Sequence, residues 1–161
     1  MNCELRPTRP DDLDAILPLE HRAENHDLIG QWTREQHLES MARQDRAHWS
    51  IECAGRLCGY LIAYDVRATG FGIYIKRVAV DETSRGIGRR AIADFLDRVW
   101  AGSDAPLVTL AVRGHNARAK RCYDALGFTT WDLPPGERAR MNAEVDVIPD
   151  DCLVMRVQRG D

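Results

Sequence analysis

Residues Arg85, Gly86, Ile87, Gly88, Arg89 and Arg90 put two glycines and three arginines in one short run. The run lies between a strand-like stretch, Arg77 to Val80, and a helix-like one that starts at Ile87. The first N–H groups of a helix have no partner within it and carry partial positive charge, so such a junction is a natural anion site. Gly86 and Gly88 lack a Cβ, which lets a phosphate approach the main chain closely. Arg85, Arg89 and Arg90 can add charge-assisted contacts from the rim. The construction suits two adjacent phosphates. A glycine turn with solvated arginines is the plainer alternative.

Two familiar phosphate motifs fit poorly. A Walker loop needs G-x-x-x-x-G-K followed by Ser or Thr, and the chain has none. Gly86, Gly88 and Ala91 spell a dinucleotide fingerprint, but five residues separate Val80 from Gly86, where that fingerprint needs a tight turn. The next strand ends in Val112-Arg113, with no acid to meet a ribose.

The elements that must position this loop are legible in outline. The chain has 161 residues, 44% hydrophobic and 29% charged, the profile of a soluble globular protein of one domain, residues 1–161. Its start carries charge where a signal peptide would be apolar, and no run approaches the ~20 apolar residues of a membrane span. The five cysteines, Cys3, Cys53, Cys58, Cys122 and Cys152, are odd in number and form no C-x-x-C pair. They read as reduced thiols of a cytoplasmic protein, neither a disulfide framework nor a zinc site. His21, His26 and His37 lack a metal spacing, so no metal is expected. Net charge is −3, yet residues 76–121 hold ten Lys/Arg against five acids, leaving −8 for the rest. A basic block within an acidic chain points to a compact anionic ligand rather than nucleic acid. A solvated face of mixed charge has the same composition.

A strand opens the chain, and Pro10-Asp11-Asp12 then starts a helix running to about Arg22. Thr33 caps a second helix with Gln36 as its capping-box partner, running to about Arg43. Two β-rich runs flank Ala54-Gly55 as a hairpin. "FGIYIKRVAV" is a fourth strand. Ala91, Ile92, Phe95, Leu96 and Val99 make one stripe of the helix Ile87 to Trp100. "PLVTLAV" is a buried strand, and Asn116 and Gly127 bound a further helix. Phe128 to Leu133 and Cys152 to Val157 read as strands, with residues 134–151 as a loop between them. The order predicts an α/β fold: a mixed, mostly antiparallel sheet with one parallel crossover and helices on both faces.

From Arg77 to Phe128 the chain resembles the GCN5-related N-acetyltransferase (GNAT) superfamily. That family's acetyl-CoA motif is Gln or Arg, two variable residues, Gly, one variable residue, then Gly or Ala. Arg85 and Gly88 take its first and fourth positions, and Arg90 replaces the small sixth. "NARAKRCYDALGF" resembles the family's next segment: Asn116, Tyr123, Gly127 and Phe128 match, and Lys120 takes the small-residue position beside Ala119.

The resemblance implies an acetyl-CoA-dependent N-acetyltransferase acting on a small-molecule or peptide amine by direct attack, without an acyl-enzyme. It implies no nucleic-acid or membrane partner, and a homodimer as in many members. Pantetheine would pair with the main chain of Val78, Ala79 and Val80. Pyrophosphate would lie on the amides of Gly86, Ile87, Gly88, Arg89, Arg90 and Ala91. Tyr123 would be the general acid, since a phenol of pKa about 10 outlasts a thiol of about 8.5; the other reading is an aromatic anchoring its helix. Asn116 either bonds pantetheine or caps its helix, and Ala119 leaves room for the cofactor. Lys120 and Arg121 either meet the 3′-phosphate or face water. Glu24, His26, Asp27, Trp32 and Tyr74 would line the acceptor side, where carboxylates could draw in a cationic amine. The strand's usual glutamate is absent, and Glu20, Glu24, His26, Asp27, His115 or a water remain open as the base. An acyl-CoA sensor without catalysis fits the same residues.

Overall fold

The computed structural model of the protein describes residues 2–25, 28–81 and 86–160. The strands are β1 (Cys3–Pro7), β2 (Arg46–Cys53), β3 (Arg56–Asp65), β4 (Ile73–Val80), β5 (Leu107–Arg113), β6 (Thr129–Thr130) and β7 (Cys152–Gln158). The helices are α1 (Leu13–Glu20), α2 (Arg34–Met41), α3 (Ile87–Gly102), α4 (Ala117–Ala125) and α5 (Pro135–Val145). The strands order as β1-β2-β3-β4-β5-β7-β6. β4 and β5 run parallel, from Ile73↔Val108 to Ile75↔Leu110. β1–β2, β5–β7 and β6–β7 are antiparallel. This is the mixed α/β fold the element order predicts.

Local chemistry explains the boundaries. Thr33 Oγ1 accepts from the Gln36 amide at 3.2 Å, and Gln36 Oε1 accepts from the Thr33 amide at 2.8 Å, which closes the predicted capping box. Ala54 and Gly55 both take positive φ, 53° and 77°, as a two-residue hairpin with right-handed strand twist requires. The α3 stripe is buried as read, with Ala91, Ile92, Phe95, Leu96 and Val99 all shielded.

The chain divides into two compact units, Met1–Ala63 with Arg77–Phe95, and Tyr64–Lys76 with Leu96–Asp161. The first is cored by Leu13, Ile16, Ile51, Leu61, Ile62 and Ile92. The second is cored by Phe71, Val108, Leu110, Met141, Val145 and Val154. Within it, Thr109 Oγ1 donates to the Phe71 carbonyl at 2.9 Å, so this polar side chain is tolerated in the centre of β5.

Three expectations are corrected. The segment read as a loop contains α5, whose first helical residue is a proline and whose Met141 and Val145, one turn apart, are both fully buried. The strand read from Phe128 to Leu133 shrinks to Thr129–Thr130. Cys3 and Cys53 are not free thiols: they face each other across the β1–β2 register and form a disulfide. Fifty positions of sequence hid this contact. Cysteine usage therefore gives no argument for a reducing compartment. Among the described residues no helix is long and apolar enough to cross a membrane.

Candidate active site

In the first unit, β4 ends at Val80 and α3 begins at Ile87. Gly86 has φ 72°, a conformation a side chain would strain, and open space lies where its Cβ would be. The Gly86 carbonyl accepts from the Arg90 amide at 3.1 Å and starts the helical ladder. The first-turn amides before Arg90 therefore have no helical acceptor. Ile87 and Ala91 point inward, 1% and 4% exposed, and pin the turn to the core. Arg89 and Arg90 point outward. A Cβ on Gly88 would meet Val80 Cγ1 at 3.8 Å, an ordinary contact, so packing does not require glycine there. Gly59 of β3 does need to be glycine, because its Cβ would meet the Ala79 carbonyl oxygen at 2.4 Å. The Asp81 amide then bonds the Cys58 carbonyl at 2.7 Å. β3 and β4 are thus held tightly together beside Val78–Val80.

In the second unit, Asn116 Oδ1 accepts from the Ala119 amide at 3.2 Å, so Asn116 is the N-cap of α4. Lys120 Nζ donates to the Gly114 carbonyl at 3.1 Å. Gly127, at φ 94°, turns the chain after α4, and the Phe128 amide returns to the Tyr123 carbonyl. Tyr123 packs its ring 5.7 Å from that of Phe128. Among the described residues its hydroxyl makes no hydrogen bond. Burial, and secondarily Cys122, pushes this phenol well above its ordinary range, so it holds its proton.

Tyr74, on β4, is 4% exposed and packs 6.4 Å from Tyr64. Burial raises its pKa strongly, with smaller upward contributions from Cys152, Tyr64, Asp146 and Tyr123. Lys76 donates to the Val145 carbonyl at 2.9 Å and pairs with Asp146 at 3.2 Å, which ties the end of α5 to β4.

The sequence offered Glu20 as a candidate base and did not show what surrounds it. Glu20 has no exposed surface. It accepts from Tyr60 Oη at 2.7 Å, Arg77 Nη1 at 2.7 Å, the Trp32 amide at 2.8 Å and His37 Nε2 at 3.1 Å. Burial alone would raise its pKa, but His37, Tyr60, Arg77 and Trp32 together bring it down to about 2. A carboxylate so held is ionised and engaged near neutrality, a poor proton acceptor. Arg77, His37 and Tyr60 are the residues sequence reasoning missed. Their one available signal was a second basic residue, next to Lys76, in the middle of a β-rich strand.

Of the other acceptor-side candidates, Glu24 is exposed and Trp32 half-buried, in the first unit, whereas Tyr74 is in the second. His115 is exposed. His26, Asp27 and Arg85 lie outside the described residues.

A profile described as the acetyltransferase (GNAT) family matches residues 12–128. Comparison with curated proteins gives no match. Among solved structures, the spermidine N-acetyltransferase from Vibrio cholerae, in complex with CoA and spermine, superposes with a TM-score of 0.77 at 14% identity over 98% of this chain and 95% of that one. The ribosomal-protein-S18-alanine N-acetyltransferase from Escherichia coli gives 0.72 at 20% identity over 98% and 94%. Aminoglycoside acetyltransferase AAC(6')-Ib, in complex with coenzyme A and kanamycin, gives 0.77 at 18% over 98% and 95%. With the profile spanning the helix mouth at Gly86, the Asn116 cap and Tyr123, the chain belongs to the acetyltransferase (GNAT) family.

Proposed function

We propose that residues 1–161 form one acetyl-CoA-dependent N-acetyltransferase domain that acetylates a primary amine. The observation that carries this is the opening of α3, where a positive-φ glycine precedes first-turn amides with no helical acceptor, inside the matched region. The solved complexes with CoA named above support the same cofactor. On this reading the amides of Gly86 to Ala91 hold the diphosphate, with Arg85, Arg89 and Arg90 at the rim. The main chain of Val78 to Val80 pairs with pantetheine as an added strand. Ala119 gives clearance, and Asn116, although it caps α4, keeps a side-chain amide for pantetheine. Lys120 is read as a contact to the 3′-phosphate.

Bound acetyl-CoA supplies the thioester. The neutral amine attacks its carbonyl carbon, the C–S bond breaks, and Tyr123 gives its proton to the departing sulfur. The acceptor's own excess proton leaves to water rather than to Glu20, and a proton from water restores the Tyr123 phenol. No protein nucleophile is acylated. The test is thiol release from acetyl-CoA over a broad amine panel, with intact mass to detect any acyl-enzyme. Amine-dependent thiol release is expected. Tight coenzyme A binding with no turnover over the whole panel would instead favour an acyl-CoA sensor, a reading favoured by the engagement of Glu20 and the absence of an acid on β4.

A further inference from the structure

Arg77 stands in β4 with 4% of its surface exposed, and part of its donor set is unused. Nη1 donates to Glu20 Oε1 at 2.7 Å. The guanidinium lies 4.5 Å from the centre of the Trp32 ring, which fixes its plane. Nε is buried and meets no acceptor among the described residues. Native interiors leave few such groups, and each asks for an explanation. Nε and Nη2 form the edge by which a guanidinium grips a carboxylate side-on, through two parallel hydrogen bonds.

That edge lies just beneath the surface. A Cβ on Gly30 would sit 2.5 Å from Nη2, so a side chain there would push the guanidinium aside. Gly30 and its neighbour Gln31 are exposed.

The surrounding field favours an anion. His48 stacks on Trp32 with ring centres 6.2 Å apart. Its imidazole is pushed down to about 4, first by burial and then by His37, Arg77 and Arg46, with the opposing pull of Glu20 the smallest contribution. The permanent cations Arg77 and Arg46 each act on this ring more strongly than Glu20 does. Among the described acids, Glu20 lies against Arg77 and is fully engaged, so it does not draw in a cationic amine. Among the described residues, the charge nearest Trp32 is thus cationic at Arg77 and neutralised at Glu20.

We propose that the Nε–Nη2 edge of Arg77 binds a carboxylate and that the acceptor is therefore an amine bearing an acid group, such as an amino acid, rather than a polyamine. The acceptor half of this proposal rests on the acetyl-transfer reading above. Trp32 holds the guanidinium flat, Glu20 anchors Nη1, and Gly30 leaves the room.

Acetate, titrated against the full chain at constant ionic strength with chloride as control, tests the site without catalysis. Calorimetry and thermal shift should show saturable binding to the wild type, weakened at least tenfold in Arg77→Gln. Gly30→Ala keeps both charges but crowds Nη2 and shifts the guanidinium edge, and it should weaken binding similarly. If Arg77→Gln does not fold, Gly30→Ala decides. No saturable acetate binding by the wild type, or binding unchanged in Gly30→Ala, overturns the carboxylate site and leaves acetyl transfer standing. Turnover of L-amino acids is then compared with that of their carboxamides at fixed acetyl-CoA. The free acids should show at least tenfold higher kcat/KM, carried by KM, with the preference lost in Gly30→Ala. The carboxamides have the less basic amines, so chemistry alone biases the comparison against this result. Acetate binding with the carboxamides turned over equally well, or with no amino acid turned over, overturns the assignment to the acceptor. A wild type that does not bind coenzyme A overturns the acetyl-transfer reading instead, and the acetate titration still judges the site.

Discussion

Tyr123 combines a buried ring, a hydroxyl with no hydrogen bond among the described residues, and a pKa held above its ordinary value. A phenol in that state can give up a proton to a leaving thiolate and is not deprotonated beforehand. Tyr123→Phe should lower kcat by about 10²–10⁴, the usual worth of a general acid, and leave the KM for acetyl-CoA nearly unchanged. An equal loss in coenzyme A affinity would mean that Tyr123 binds rather than reacts. Gly88 gives a second residue-scale test. Its Cβ would make only an ordinary contact with Val80, and alanine is the better helix former by about 1 kcal/mol. Gly88→Ala should therefore hold or raise Tm while weakening coenzyme A binding, measured by calorimetry. If affinity is unchanged, the diphosphate does not pass over this turn. The positive-φ turn at Gly86 and the Asn116 cap of α4 were legible in the sequence because each depends on backbone freedom or local spacing. The Glu20 cluster was not, because its members come from residues 20, 32, 37, 60 and 77, and only the fold brings them together.

At the scale of elements, the long α3 stripe, the Thr33–Gln36 box and the Ala54–Gly55 hairpin were readable because each signal lies within a few residues. α5 escaped because its apolar residues are few and its neighbours charged, so its inward face is set by the surface it packs on. The hairpin and the β1–β2 pair each invite a test. Ala54 carries a Cβ at φ 53°, which costs about 1–2 kcal/mol relative to a residue at ease there. Ala54→Asn restores the preferred Asn-Gly turn and should raise stability by about 1 kcal/mol in chemical denaturation. No gain would mean the strand ends, and not the turn, set this geometry. The Cys3–Cys53 bond closes a loop with a sequence separation of 50. Loop-closure entropy for such a span is about 4 kcal/mol, an upper figure for what the bond adds. Cys3→Ser should lower stability by about 2–4 kcal/mol, and reductant should lower the wild type to the same level without affecting the variant. A variant as stable as the oxidised wild type would remove the disulfide from any structural role.

For the molecule as a whole, three groups of the first unit tie stability to pH in one direction. His48 has a pKa lowered from 6.5 to about 4, by burial first. The unfolded chain binds its proton below 6.5 and the folded chain does not, so this contribution is complete above pH 6.5 and lost as pH falls towards 4. The slope is about 1.4 kcal/mol per pH unit. Asp12 is lowered from 3.8 to about 2, chiefly by its hydrogen bonds from Arg6, whose Nη1 and Nη2 approach at 2.8 and 2.9 Å. Glu20 falls from 4.5 to about 2, where its four donors overcome burial. The stabilisation from these two carboxylates is present above their unfolded values and lost as pH drops towards 2. Stability should therefore decline in two stages on acidification, the first between pH 6.5 and 4 and the second below about 4.5. Denaturant unfolding followed from pH 8 to 3 reads both. His48→Gln, which keeps a polar group beside Ser40, should flatten the first stage and leave the second. Glu20→Gln should do more than flatten the second, because it leaves the Arg77 guanidinium, 2.7 Å away, buried without a counter-charge and lowers stability at every pH. A first stage that survives His48→Gln unchanged would mean that its proton uptake occurs elsewhere, and the half-buried ring beside Trp32 would then be a packing element alone.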